Sequence, residues 1–191
     1  MTKMKLCGLF RPCDIDAANE LKPEYMVCVC TEKQTICNAE KAAELKKLLD
    51  PDIQAVGVFV NEAAERIVAL LNKGIIDIAQ LHGAEDENDI NQLRTLTDKP
   101  IIKAFCIKES EDITDAESCL ADYILLDSGE GTGTVFDWKK IQNIQRPYFL
   151  AGGLSIDNVE NAVRQLNPYA VDVSSGIETD GLKDKTKMAA F

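Results

Sequence analysis

The chain sets a cysteine near the end of one short apolar run, MKLCG (4–8), and an aspartate at the end of another, DYILLD (122–127). A thiol and a carboxyl at two strand ends are suited to moving protons, one group accepting a proton from a bound molecule while the other donates one. A free thiol titrates near ~8.5, so Cys7 needs a neighbouring positive charge to be a base at neutral pH. Lys5, on the same strand face, is the obvious source of that charge. Each residue also has a plainer reading, Cys7 as a packed core thiol and Asp127 as a cap on the following turn. The loop after Asp127, SGEGTGTVFDW, is glycine-rich and long enough to cover a ligand, which favours a functional aspartate.

Two further stretches have the character of phosphate sites. LAGGLS (150–155) sets Gly152 and Gly153 between a strand and a helix, and VSSGIE (173–178) sets Ser174, Ser175 and Gly176 after the next strand. Bare backbone N–H groups and a helix N-terminus attract an anion. The single histidine, His82, closes DIAQLH (77–82), a place that points to ligand contact and not to catalysis.

These residues can act together only if strands carry them to one place. Eight β-rich runs alternate with amphipathic segments: 4–8, 25–29, 54–60, 77–82, 100–105, 122–127, 147–152 and 170–174. The clearest helical patterns are 38–49, 61–74 and 155–166, several with a Ser, Asp or Asn start signal and one closed by Lys73 and Gly74. Strand followed by helix or long loop, eight times within a single domain spanning 1–191, predicts an α/β fold, a parallel (β/α)8 TIM barrel in preference to an open doubly wound sheet. Alternation supports the closed form, because residues two apart share a strand face. Lys5 then lies with Cys7, Gln80 with His82, Tyr123 and Leu125 with Asp127, and Asp172 with Ser174, each opposed by apolar neighbours. Lys103, flanked by Ile102 and Ala104, is assigned to the same inward set. Polar groups thus gather near the C-terminal strand ends, where barrel enzymes build their sites, and loops after strands 7 and 8 commonly grip phosphate in that fold.

Composition narrows the partners. With 32 acidic and 21 basic residues the formal charge is −11, which argues against nucleic acid or an anionic membrane, so an anionic ligand must be held by a local site. MTKMKLCG lacks a hydrophobic run of signal-peptide length and no stretch approaches the ~20 apolar residues of a membrane span, so a cytoplasmic protein is expected. The 7 cysteines lack scaffold spacing and any C-x-x-C, and are expected to be reduced. Cys28 and Cys30 form a C-x-C, but with 1 histidine and no second pair no structural metal is expected.

Taken jointly, KLCGLFR, VGVFVN, QLHG, IIKAF, LLDSGEGTGTVFDW, LAGGLSIDNV and VDVSSGIETDGLKD, in this order, resemble the phosphoribosylanthranilate isomerase family, barrel enzymes of tryptophan biosynthesis. The resemblance implies a cofactor-free rearrangement of N-(5-phosphoribosyl)anthranilate to 1-(2-carboxyphenylamino)-1-deoxyribulose 5-phosphate. It implies that Cys7 is the general base at the sugar C2 proton and Asp127 the general acid that protonates the ring oxygen. Phosphate would rest on Gly152, Gly153, Ser175 and Gly176. Asp172 and His82 would lie near the anthranilate portion, with Lys5 on the same substrate-facing side. The partner implied is a small phosphosugar, in a monomer or homodimer.

One segment departs from the family pattern. After strand 2 the family usually carries a basic loop of the type SPR or SKR, whose arginine grips the anthranilate carboxylate. Here the segment is CTEKQTICNAEKA, with no arginine. Lys33 is left as a single point charge without a bidentate fork. Two other readings therefore stay open: a degenerate paralogue that binds a sugar phosphate without turnover, and a related aminoaldose-phosphate isomerase with shifted specificity. Retention of Cys7 and Asp127 opposes the first. Cys7 opposes the second, because the histidine-pathway enzyme it resembles typically has an aspartate base on strand 1.

Overall fold

The computed structural model describes residues 1–29, 38–127, 138–141 and 144–191. Lys33, the surrounding strand-2 loop with Cys30 and Cys37, and the glycine-rich loop that follows Asp127 lie outside these residues. The β-rich runs form eight parallel strands, β1 (Lys3–Cys7), β2 (Tyr25–Val29), β3 (Gln54–Phe59), β4 (Ile78–Leu81), β5 (Ile101–Cys106), β6 (Tyr123–Asp127), β7 (Tyr148–Leu150) and β8 (Ala170–Val173). They pair in chain order, and β8 pairs back to β1 to close a (β/α)8 barrel.

Between the strands run α1 (Pro12–Leu21), α2 (Ala39–Leu48), α3 (Ala64–Asn72), α4 (Glu87–Leu96), α5 (Ser110–Ser118) and α6 (Val159–Leu166), and α7 (Lys185–Ala190) follows β8. Polar caps start several of them: the Asn38 side chain accepts from Lys41 N–H, and Asp86 accepts from Asn88 and Asp89 N–H. Helix α6 starts at Val159 and not at 155, because Asn158 accepts from Ser155 N–H and donates to Gly153 O, folding residues 155–158 into an entry turn.

Two apolar layers result. Leu6, Met26, Phe59, Leu81, Ile124 and Leu126 face the helices, while Val27, Val56, Val58, Ile78, Ile102, Ala104, Leu125 and Phe149 fill the barrel. At the N-terminal floor Tyr25, Tyr123 and Tyr169 pack around Phe149, and Lys3 Nζ donates to Tyr169 Oη at 2.7 Å. An apolar plug therefore separates this floor from the polar mouth.

Lys103 does not join the inward set. Ile102 and Ala104 occupy the barrel interior, so period-two alternation turns Lys103 outward. There its Nζ donates to Gly83 O at 2.8 Å and to Glu85 Oε2 at 2.9 Å. A buried cation is tolerated on this face because Glu85, from the β4–α4 loop, neutralises it, and Glu85 also accepts from the N–H groups of Asn61 and Gly83. Such a pair defines one geometry more than it adds stability, and removing one partner typically costs ~3–5 kcal/mol. It ties the loops after β3 and β4 together directly behind His82. Gly83 is required by this knot, since a Cβ there would lie 2.5 Å from Asn61 Oδ1.

After β8 the chain forms a small antiparallel hairpin, β9 (Glu178–Thr179) and β10 (Leu182–Lys183). Its turn residues Asp180 and Gly181 have φ of 53° and 75°, the left-handed pair that a two-residue hairpin turn demands.

Candidate active site

The register of β1 on β8 sets Lys5 beside Asp172. Lys5 is fully buried and its Nζ donates to Asp172 Oδ2 at 2.6 Å. Cys7 stands one pleat higher, half-buried, on the interior side. Burial pushes its thiol up to about 11, and Asp172 pushes the same way. Lys5, Lys183 and the Ser174 hydroxyl, which is placed to hydrogen-bond the sulfur, favour the anion without cancelling those two effects. Lys5 therefore does not ionise Cys7 by itself, contrary to expectation, because burial disfavours the thiolate and Asp172 offsets the lysine charge.

Across the mouth, β4 and β6 contribute the second half. The Gln80 side-chain amide lies 2.9 Å from His82 Nδ1; with that amide N–H donating, the imidazole carries its proton on Nε2. His82 Nε2 lies 3.8 Å from Asp127 Oδ2. Burial lowers the pKa of His82 more than the Asp127 carboxylate raises it, so the ring is neutral at pH 7. Charges on Asp127, Lys5, Asp172 and Lys103 all reach His82, and those on Asp172, Lys5 and Lys183 reach Cys7. In the ring, β7 and β8 separate the Asp127 strand from the Cys7 strand. Gln80 Oε1 and Asp172 Oδ1 are buried acceptors with no hydrogen-bond partner among the described residues.

The two glycine loops meet beside this opening. Gly152 and Gly153 have φ of 87° and 64°, conformations that disfavour a side chain. Ser155 bridges to Gly176, and a Cβ on Gly176 would lie 2.0 Å from Leu154 O. Ser174 and Ser175 make a single turn, their carbonyls accepting from Ile177 N–H at 3.3 Å and Glu178 N–H at 3.1 Å. The structure thus brings Lys5, Cys7, His82, Asp127 and Asp172 to the mouth and packs Gly152 and Gly153 next to Ser175 and Gly176.

Three mouth residues have contacts that the sequence reading did not foresee, Ser174 among them although it was placed in a phosphate stretch. Gln80 orients His82, and Ser174 faces Cys7; alternation put both on the inner face without indicating a partner. Lys183 reaches the mouth from the C-terminal hairpin and donates to Ser174 O at 3.0 Å. The Asp180–Gly181 pair signals a turn, but nothing local signals where Lys183 then points.

Residues 4–191 match the family described as N-(5'phosphoribosyl)anthranilate (PRA) isomerase. An N-(5'-phosphoribosyl)anthranilate isomerase of Endomicrobium trichonymphae is 42% identical over 193 residues, covering 98% of this chain and 95% of that protein. A solved phosphoribosyl anthranilate isomerase in complex with reduced 1-(o-carboxyphenylamino)-1-deoxyribulose 5-phosphate aligns with a TM-score of 0.87 at 30% identity, over 100% of this chain and 96% of that one. Monomers generated from the dimeric enzyme of Thermotoga maritima align with a TM-score of 0.87 at 32% identity, over 100% and 96%.

Proposed function

This chain belongs to the N-(5'-phosphoribosyl)anthranilate isomerase family, and from that membership we propose how its barrel mouth carries out the family's reaction. The protein isomerises N-(5'-phosphoribosyl)anthranilate to the 1-deoxyribulose 5-phosphate product in tryptophan biosynthesis. Asp127, in its neutral form, donates a proton to the ring oxygen as the bond from that oxygen to C1 breaks. The anilino nitrogen lone pair forms a C=N bond to C1, leaving an iminium. Cys7, as thiolate, then takes the C2 proton, and the freed electron pair gives an enaminol. Transfer of a proton to C1 and loss of one from the C2 hydroxyl complete the ketone. C2 is oxidised, C1 is reduced, and no external redox partner is involved.

The observation that carries this reading is that Cys7 ends β1 and Asp127 ends β6 at the same end of one closed parallel barrel, with β7 and β8 between them. The high thiol pKa of about 11 makes the anion scarce in the ligand-free protein. The iminium charge, adjacent to C2, favours the thiolate at the step that needs it. Asp172 Oδ1 is an acceptor for the substrate's N–H, and that contact also weakens the repulsion of Asp172 for the thiolate. His82 lines the anthranilate side, and Lys5 holds Asp172 in place. The phosphate sits over Gly152, Gly153, Ser175 and Gly176, and Lys33 supplies a single point charge to the anthranilate carboxylate.

In this reading one domain spanning 1–191 carries the activity as a cytoplasmic monomer or homodimer with a phosphosugar substrate. No helix among the described residues is long and apolar enough to cross a membrane, which is consistent with that setting. The test is turnover of N-(5'-phosphoribosyl)anthranilate, with the ketose product separated from its isomer by chromatography. Binding without product would replace an active isomerase by a non-catalytic sugar-phosphate binder.

The phosphate placement makes its own prediction. Gly176→Val drives a side chain into the Leu154 carbonyl and parts the two glycine loops. KM is expected to rise at least ~10-fold, the loss of about 1.4 kcal/mol of ground-state binding, with a smaller change in kcat. An unchanged KM in a folded variant refutes the placement.

A further inference from the structure

We propose that Lys183, delivered by the C-terminal hairpin, is a positioning residue for Cys7, holding the sulfur in its proton-accepting form through the Ser174 hydroxyl and through its own charge. The proposal rests on the reading of Cys7 as the base.

Lys183 sits on a two-residue strand whose side chain is 2% exposed, an unusual place for an ammonium. Its Nζ has three partners: Ser174 O at 3.0 Å, Ser174 Oγ at 3.2 Å and the Glu178 carboxylate. An ammonium has three donors, so all are used. Ser174 Oγ, accepting from Lys183, keeps its own O–H free to donate toward the Cys7 sulfur. Lys183 Nζ also lies 3.3 Å from where a side chain on Gly8 would begin, directly over the residue that follows Cys7. Gly8 has a φ of 78°, so the chain turns away there and leaves the space to the lysine.

The hairpin is anchored for this purpose. Arg11 donates to Lys183 O at 2.7 Å and is itself paired with buried Asp14. The groups facing the sulfur are Lys5 from β1, Asp172 and Ser174 from β8 and Lys183 from β10, with Glu178 of β9 acting through Lys183 and apolar Val27 opposite on β2. Lys5 is neutralised at 2.6 Å by Asp172, whereas Glu178, 26% exposed, is screened by water. Lys183 is thus the cation whose field on Cys7 is less fully cancelled.

The experiment follows Cys7 alkylation by iodoacetamide against pH, resolved by peptide mass spectrometry in the full chain, beside kcat and KM. Lys183→Met is expected to raise the alkylation midpoint, lowering both thiolate reactivity at pH 8 and kcat by roughly three- to tenfold while KM stays within about twofold. Lys183→Arg is expected to recover most of both. Glu178→Gln, which uncovers the lysine charge, should shift the midpoint downward, and it tests the idea even where Lys183→Met fails to fold. An alkylation profile unmoved in both variants overturns the proposal, and leaves Cys7 as base if Cys7→Ala is inactive. A shifted profile with unchanged kcat also overturns it, and removes Cys7 from the base role as well.

Discussion

Cys7→Ala is expected to lower kcat by at least ~100-fold, the scale of a lost general base, while KM stays within about threefold. The substitution removes one sulfur from a half-buried position and leaves the Lys5–Asp172 pair intact, so binding and fold should survive. Among the described residues, those beside the sulfur are poor substitutes for it. Asp172, which faces it, is held by Lys5, and Ser174 is a hydroxyl held by Lys183. A pH signature accompanies the loss. Because the wild-type thiol titrates at about 11, its anion increases tenfold per pH unit across the range below that value. Cys7-dependent turnover at low substrate should therefore climb through neutral pH, and the residual activity of Cys7→Ala should lack that climb. Steady-state kinetics from pH 6 to 9 measure both, and near-normal turnover by the variant would eliminate Cys7 as the base.

Asp127→Asn is expected to cost a comparable factor, at least ~100-fold in kcat, for the opposite reason. Asparagine keeps the shape of the side chain and can still donate an amide hydrogen bond, but it cannot deliver a carboxylic proton to the ring oxygen. His82 cannot take over this task. Its Nε2 is 3.8 Å from Asp127 Oδ2, yet burial keeps the ring neutral at pH 7, and a neutral imidazole is a very weak acid. Because the loss belongs to ring opening and not to binding, KM should change little. Activity within threefold of wild type would take Asp127 out of the mechanism.

In the proposed cycle a buried, reluctant thiol suits this reaction. A thiolate stable at rest would be exposed to oxidation and alkylation before substrate arrives. In the proposed cycle the anion is favoured when a cation appears next to C2, so the base strength needed at that step is available without a permanently ionised cysteine.

Much of this architecture follows from local pattern. Period-two alternation put Cys7, His82, Asp127 and Asp172 on one face, and the eight strands appear within two residues of the expected ends. The glycine pairs marked both loops that meet at Ser155 and Gly176. Such features depend on neighbours a few positions apart, so sequence by itself determined the barrel, the polar residues at its strand ends and the family. Tertiary structure alone decided the charge relations. Lys103, turned outward by the alternation that puts Ile102 and Ala104 inside, is tolerated there because Glu85, on a different segment, neutralises it. Cys7 stays protonated first because it is buried, and then because Asp172, which occupies Lys5 from 167 residues away, also repels the thiolate. Lys183 enters the mouth because a left-handed turn at Asp180 and Gly181 folds β10 back over β1 and β8. Burial and Coulomb energy depend on which groups meet in space, and that is set by closure of the whole barrel, not by any stretch of residues within it.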